Sequence, residues 1–157
     1  MRTDNRNVKN TIISIYFLFM VVAILFATVF SSNGIFPKAS MYVFQVLFVI
    51  IGYVHFIARY FEYDSDGAKL VFVNRGLILI DLINYRQHKV EFAKHKFKGY
   101  KVRNYLFYKK LVISIQHSNG RVHKESFNVT LIKPKKLRYI KQSLKKILKE
   151  NKKHKQG

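Results

Sequence analysis

The chain has 157 residues and a formal net charge of +21 at pH 7, with 29 Lys and Arg residues against 8 Asp and Glu residues. It contains no cysteine, which excludes disulfides, thiolate metal sites and a cysteine nucleophile. A surface this basic attracts polyanions, either anionic lipid headgroups or nucleic-acid phosphates.

Two uncharged apolar runs occupy the first third of the chain. The first extends from Thr11 to about Phe30 and the second from about Met41 to Ala58, and neither contains Asp, Glu, Lys or Arg. Roughly 20 apolar residues in a helix cross a hydrocarbon core of about 30 Å. Residues 11–58 are therefore predicted to form a two-helix transmembrane hairpin.

A cleaved signal peptide and a pair of buried core helices are the alternative interpretations of these runs. The first run is longer than the roughly 7 to 15 residues of a signal peptide's apolar region. A second run follows closely, and no good cleavage site with small residues is evident. These features favour the hairpin.

Basic residues flank the hairpin on one side. Segment 1–10 carries Arg2, Arg6 and Lys9, the loop 31–40 carries a single Lys, and the chain from Arg59 onward is strongly basic. Lys and Arg near the ends of membrane spans are retained in the cytoplasm. We therefore predict a two-pass protein of the cell inner membrane with both termini cytoplasmic and the loop external.

Gln45 and His55 are the polar exceptions in the second apolar run. Polar residues within a membrane span are rare and are therefore candidates for a functional role. His55 lies near the inner boundary, where its ring reaches the headgroup region by snorkelling. Gln45 is a candidate contact to a partner helix, and a hydrogen bond inside the hairpin is the alternative.

Residues 59–68 are assigned to a juxtamembrane linker. Its first residues are predicted to extend the second helix by a turn, until an acidic stretch ending in Gly67 stops it. Asp64, Asp66 and Gly67 match the start of a calcium loop, but no Glu follows at the required spacing. A turn is the favoured interpretation.

From Lys69 onward, short β-branched segments alternate with turn residues, which indicates an antiparallel sheet. The predicted strands are 69–73, 77–81, 89–93, 99–104, 111–116 and 122–129. Residues 74–76 (Asn-Arg-Gly) are predicted to form a three-residue hairpin loop with Gly76 at positive φ.

The last hairpin has a predicted register. A two-residue turn would pair Leu111 with Asn128 and mix apolar with polar residues on one face. A three-residue loop, with Gly120 in the left-handed conformation, pairs Leu111 with Phe127 and places Val129 on the same face. Since a one-residue slip turns a whole strand over, burial favours the second arrangement.

Beyond Pro134 the apolar period becomes helical. The predicted helix has an apolar stripe, which we expect to close the open end of the sheet: Leu137, Ile140, Leu144 and Ile147. Beside it lies a basic face, the candidate polyanion-binding surface: Arg138, Lys141, Lys145, Lys149 and Lys152. Residues 151–157 are predicted to form a disordered basic tail.

The order of elements, several strands followed by one amphipathic helix, resembles that of a pleckstrin-homology-like (PH-like) domain. The segments that carry the resemblance include the Glu91–Val102 run and the Leu111–Phe127 hairpin. The layout is similar to that of small bacterial membrane proteins in which transmembrane helices precede a bacterial PH-like domain, here residues 69–150. The resemblance implies an α-helical transmembrane hairpin plus a small α+β cytoplasmic domain, an antiparallel PH-like β-barrel or sandwich capped by the helix. Lys69 and Arg75 are not followed by the closely spaced basic residues of phosphoinositide-binding members, so inositide binding is not carried over.

The sequence contains no Gly-rich phosphate loop, zinc-type His-Glu-x-x-His or nucleophile elbow. His117 and His123 are interpreted as solvated strand positions. We therefore expect a protein that is not an enzyme and has no cofactor, metal or small-molecule substrate. Two functions remain: a membrane-anchored module contacting another membrane protein or complex, or a basic domain binding anionic lipid headgroups or RNA at the bilayer.

Overall fold

A computed structural model describes residues 1–25, 28–29, 39–76 and 88–153. Its elements in chain order are β1 (Arg2–Asp4), α1 (Arg6–Leu25), α2 (Ala39–Ile57), β2 (Arg59–Asp64), β3 (Lys69–Gly76), β4 (His88–Ala93), β5 (Phe97–Asn104), β6 (Lys109–Gln116), β7 (Val122–Asn128) and α3 (Pro134–Lys153). The predicted strand 77–81 and most of the predicted loop 31–40 lie outside the described residues.

The seven strands among the described residues form two antiparallel sheets, with orders β1-β2-β3-β4 and β5-β6-β7. Aromatic rings fill the space between them: Phe127 of β7 lies 6.2 Å from Phe61 and 5.2 Å from Phe72, measured between ring centroids. The apolar stripe of α3 joins this core, as predicted, because Leu137, Ile140, Leu144 and Ile147 are all buried.

The two helices are inserted between adjacent strands of one sheet. β1 pairs with β2, although α1 and α2 separate them in the chain. Residues Arg59–Asp64 form a strand. The prediction that they extend the second helix and belong to a linker over residues 59–68 is therefore wrong for this segment. Its aromatic residues have high β propensity, and Tyr60, Phe61 and Tyr63 gain burial that a linker would not give them.

The N-terminal segment 1–10 is also part of the fold, since it supplies β1 and the start of α1 at Arg6 rather than near Thr11. The first residues of α1 and the last residues of α2 join the sheets at the same edge. We call this edge the helix-proximal end. There β2 begins, β3 ends at Gly76 and β7 ends at Asn128. The opposite end, with Asp64 and the β6–β7 loop, is the distal end.

The helices contact each other in antiparallel orientation. The Tyr16 hydroxyl of α1 donates a hydrogen bond to the Ile51 carbonyl of α2, at 3.0 Å. Nearer the sheets, Ile12 packs against Ala58 and Tyr60. Within the described part of the chain, α1 is the one helix long and apolar enough to cross a membrane, with a mean hydropathy of 2.1 and only 11% of that span buried.

The β6–β7 register is confirmed. Leu111 pairs with Phe127, and both are fully buried with Val129. The loop closes where the His117 N–H donates to the Arg121 carbonyl at 2.9 Å. Gly120 has φ +79°, a left-handed conformation that glycine adopts without steric cost.

Two other predictions are corrected. Asn74–Gly76 is not a hairpin loop but the end of β3, where Asn74 pairs with Phe61 on one side and His88 on the other. α3 continues to Lys153 into the predicted tail, because the Asn151 amide donates to the carbonyls of Lys94 and Phe97 and ties the last turn to the sheet. Residues 154–157 lie outside the described part.

Candidate functional site at the helix-proximal end

Two buried asparagines hold the joint between the helices and the sheets. Asn5 Nδ2 donates to the Arg59 carbonyl at 3.0 Å, and its Oδ1 accepts from the Phe61 N–H at 2.9 Å. Asn128 Nδ2 donates at 2.7 Å to the carbonyl of Ile57, the last residue of α2. These bonds satisfy backbone groups at the point where the chain changes from helix to strand and no regular ladder can do so.

A third buried asparagine, Asn74, joins the two sheets. Its Nδ2 donates to the carbonyls of Tyr60 and Asn128, each at 3.0 Å, and its Oδ1 accepts from the Asn128 N–H at 3.0 Å. A buried polar group left without a partner costs about 1 to 3 kcal/mol, so this network favours a single arrangement of helices and sheets.

A basic pocket of about 290 Å³ lies beside the start of α1. Its lining consists of Arg6, Lys9, Asn10, Tyr60 and Arg75. The Lys9 ammonium lies 5.9 Å and the Arg75 guanidinium 5.1 Å from the centroid of the Tyr60 ring, which is within the range of cation–π attraction.

The Glu62 carboxylate, which is buried, is the counter-charge beside this pocket. It lies 2.6 Å from the guanidinium of Arg2 and 3.8 Å from that of Arg75, and it accepts a hydrogen bond from the Tyr60 hydroxyl at 3.1 Å. Burial, and then the charge of Glu62, raise the pKa of Tyr60, so the phenol stays neutral. Because Arg6, Lys9 and Arg75 outnumber this carboxylate, the pocket suits an anion.

An apolar cleft of about 530 Å³ opens at the same end, between the last turns of α2 and the β5–β6 loop. Tyr53 and Ile57 of α2 form one wall, and residues 105–108 form the other. Arg59, Asn74 and Asn128 bring polar atoms to its floor. The cleft and the basic pocket thus flank the joint at the level where the helices leave the sheets.

The predicted polyanion-binding face lies elsewhere. Its five cations are all exposed, and within the described residues none of them forms an ion pair: Arg138, Lys141, Lys145, Lys149 and Lys152. α3 starts at the helix-proximal end, where the Lys136 ammonium donates to the Asp4 carbonyl, and ends beside Lys94 at the distal end. The basic face therefore runs away from the apolar helices.

Of the two polar residues in the second apolar run, Gln45 is exposed on α2 and makes no hydrogen bond with the part of the chain that the structure describes. The side chain of His55 lies outside that part.

The rings of His117 and His123 meet across the β6–β7 hairpin, with 5.9 Å between their centroids, and both residues are exposed. In the described ranges, no group of three or more His, Asp or Glu residues is arranged to hold a metal ion.

The residues that build the helix-proximal end are not among those predicted from the sequence. Asn74 follows an apolar strand segment (Leu-Val-Phe-Val), and Asn128 stands between Phe127 and Val129. A polar amide embedded in a buried strand is a signal of a buried hydrogen-bond network.

Comparison with protein-family models, with curated proteins and with solved structures found no match to this chain.

Proposed function

We propose that this chain is a two-pass protein of the bacterial inner membrane that holds a PH-like domain against the cytoplasmic face as a non-enzymatic interaction module. The observation that carries the proposal is the insertion of two apolar helices between β1 and β2. Both helices leave the sheets at one end, so a bilayer around them would hold the domain at a fixed height.

The exposed apolar side chains of α1 and α2 support the interpretation of these helices as membrane spans rather than as core helices. Phe17 of α1 is 69% exposed and Phe48 of α2 is also 69% exposed. Large apolar side chains on a helix surface need lipid or another helix to cover them. Cleavage of a signal peptide would also remove β1, whose pairing with β2 supports retention of the N-terminus.

The PH-like assignment is supported by four plus three antiparallel strands around one aromatic core, with the C-terminal helix packed against it. This arrangement adds β1 and β2 to the 69–150 segment that carries the resemblance. A fold does not specify a function, so the assignment of an interaction module depends on the exposed surfaces.

The basic face of α3 favours a partner in the cytosol over the lipid surface. Lys152 lies 14 residues after Arg138, which is about 21 Å along a helix. The Debye length at physiological ionic strength is about 8 Å. Since α3 runs toward the distal end, its last cations lie too far from the bilayer to contact headgroups, and an acidic region of a membrane-protein complex is the partner we propose. RNA at the membrane is the alternative, with the same cations as ligands.

The proposed topology is tested with reporter fusions at Gly34 and Gly157, which should report external and cytoplasmic locations respectively. Both reporters on one side of the membrane would overturn the two-pass arrangement. Because β1 and β2 belong to the sheet, the full chain is needed rather than a fragment beginning after the helices.

The partner is tested with charge reversal in the full chain. Lys141→Glu with Lys145→Glu should release the bound partner in mild detergent. The matched control, Lys101→Glu with Lys124→Glu, makes the same charge change on the outer face of the β5–β7 sheet. Equal retention by both variants would refute a role for the α3 face. Nuclease treatment distinguishes the two partners, because only RNA-mediated binding is lost.

A further inference from the structure

The loop between β5 and β6 carries four consecutive aromatic or aliphatic residues, Tyr105, Leu106, Phe107 and Tyr108. It is a tight turn, closed by a hydrogen bond from the Tyr105 N–H to the Tyr108 carbonyl at 2.7 Å. Leu106 is 89% exposed and Phe107 is 64% exposed. Tight turns are normally built from Gly, Asn, Asp, Pro and Ser, so exposure of these apolar side chains indicates a covering surface.

The position of the loop identifies that surface. The ring of Phe107 packs edge-to-face on the ring of Tyr53 in α2, with 6.5 Å between centroids. Tyr53 lies one helical turn before Ile57, about 6 Å up the helix from the joint with the sheets. The loop therefore extends beyond the end of the sheets and alongside the apolar helices. A bilayer that surrounds α2 at this level also surrounds the loop.

The charges beside the loop match a lipid headgroup layer. Arg103 and Lys110 are directly opposite each other on the outer face of the sheet, one residue pair below the loop. Like charges in this relation destabilise a strand pair. Within the described residues neither forms an ion pair, and an anionic phosphate between them would offset the repulsion.

We propose that the Tyr105–Tyr108 loop inserts into the cytoplasmic leaflet beside α2, with Leu106 and Phe107 among the acyl chains and with Arg103 and Lys110 at headgroup phosphates. The apolar loop forms the second attachment of the domain to the bilayer. The inference rests on the proposed membrane span, because the loop reaches the bilayer only if α2 crosses it.

The experiment uses single-tryptophan variants of the full chain, which contains no tryptophan of its own. Leu106→Trp reports on the loop. Val21→Trp, at an exposed position in α1, reports on the membrane span. Asn119→Trp, in the exposed β6–β7 loop at the distal end, is the control for a hairpin tip away from the membrane. Each variant is reconstituted into phosphatidylcholine vesicles with and without brominated acyl chains, which quench tryptophan only on contact.

We expect brominated lipid to quench the emission of Leu106→Trp and Val21→Trp to a similar extent and to leave that of Asn119→Trp unchanged. Quenching of Val21→Trp without quenching of Leu106→Trp would overturn loop insertion while leaving the membrane span in place. Absence of quenching at Val21→Trp would overturn the proposed function itself, and the inference with it.

The headgroup contact is tested in the same variants. Quenching of Leu106→Trp should increase when phosphatidylglycerol is added to the vesicles. Arg103→Gln combined with Lys110→Gln should abolish that increase, because it removes the cations beside the loop. An increase that persists in the charge-neutralised variant would overturn the assignment of these residues to the headgroups.

Discussion

Replacement of Asn74 by alanine should loosen the contact between the two sheets. The substitution removes three hydrogen bonds, two donated to the carbonyls of Tyr60 and Asn128 and one accepted from the Asn128 N–H. At about 1 kcal/mol for each bond, with an added cost for the buried groups left unpaired, the free energy of unfolding should fall by about 3 to 4 kcal/mol. Domains of this kind are stable by about 5 to 15 kcal/mol in total, so this is a large fraction.

The change is measured by urea unfolding in detergent, followed by circular dichroism of the sheets. With a denaturant slope of about 2 kcal/mol per molar, the midpoint should fall by about 1.5 to 2 M. The control is Asn119→Ala, which removes one exposed turn hydrogen bond to the Arg121 N–H and should change stability by less than about 0.5 kcal/mol. A loss below about 1 kcal/mol for Asn74→Ala would refute the argument that this side chain joins the sheets.

Asn74→Asp sharpens the test, since it keeps the size and one acceptor oxygen but places a carboxylate oxygen against two carbonyls. It should destabilise the domain more than alanine at neutral pH. Burial should raise the pKa of the new carboxyl above its unfolded value of about 3.9. Stability should therefore be higher in acid and should fall as the pH rises through the folded-state pKa. The same midpoint measured at acidic and neutral pH checks this direction.

Three further changes test other parts of the fold. Gly120→Ala should cost about 1 kcal/mol, measured by urea unfolding, because φ of +79° strains any residue with a Cβ; no loss would contradict the left-handed turn. Leu144→Asp should lower the free energy of unfolding by more than about 4 kcal/mol, because the position is fully buried. The domain should then be unfolded, as measured by circular dichroism. The control, Lys145→Asp on the exposed face, should remain folded. The hydrogen bond from Lys69 lowers the pKa of Glu91 below its ordinary value of 4.5, so Lys69→Met should raise that pKa in an NMR titration. Since the folded-state pKa of Glu91 is lowered, its contribution to stability is present at neutral pH and is lost as the pH falls through that pKa.

Local pattern was sufficient to predict much of the β-sheet domain and its C-terminal helix. Alternation of apolar and polar residues set the register of β6 and β7, because a one-residue slip would place Asn128 opposite Leu111 and turn Phe127 away from the buried face. The apolar stripe of α3 follows from helical periodicity, and its burial requires no knowledge of which strands it covers. These features depend on the period of one segment and on the preference of apolar side chains for burial, both of which can be read from neighbouring residues.

Local pattern was misleading where a residue's partner lies far away in the chain. Asn74 stands in an Asn-Arg-Gly sequence typical of a turn, but its side chain bonds to Tyr60 and Asn128, and these tertiary bonds stabilise the extended strand. The segment that begins at Arg59 follows an apolar helix, and its local pattern predicts that the helix continues. The strand forms instead because β1 and β3 lie on either side to receive its backbone hydrogen bonds.

The sequence alone determined that two apolar runs come first, that an antiparallel sheet follows and that an amphipathic helix closes it. Only the tertiary structure decided that Arg2–Asp4 and Arg59–Asp64 pair around the two helices, and that the β5–β6 loop lies against Tyr53. The physical reason is that composition and periodicity record which face of a segment is buried. Which distant strand supplies the partner for a backbone group is set by the packing of the whole chain.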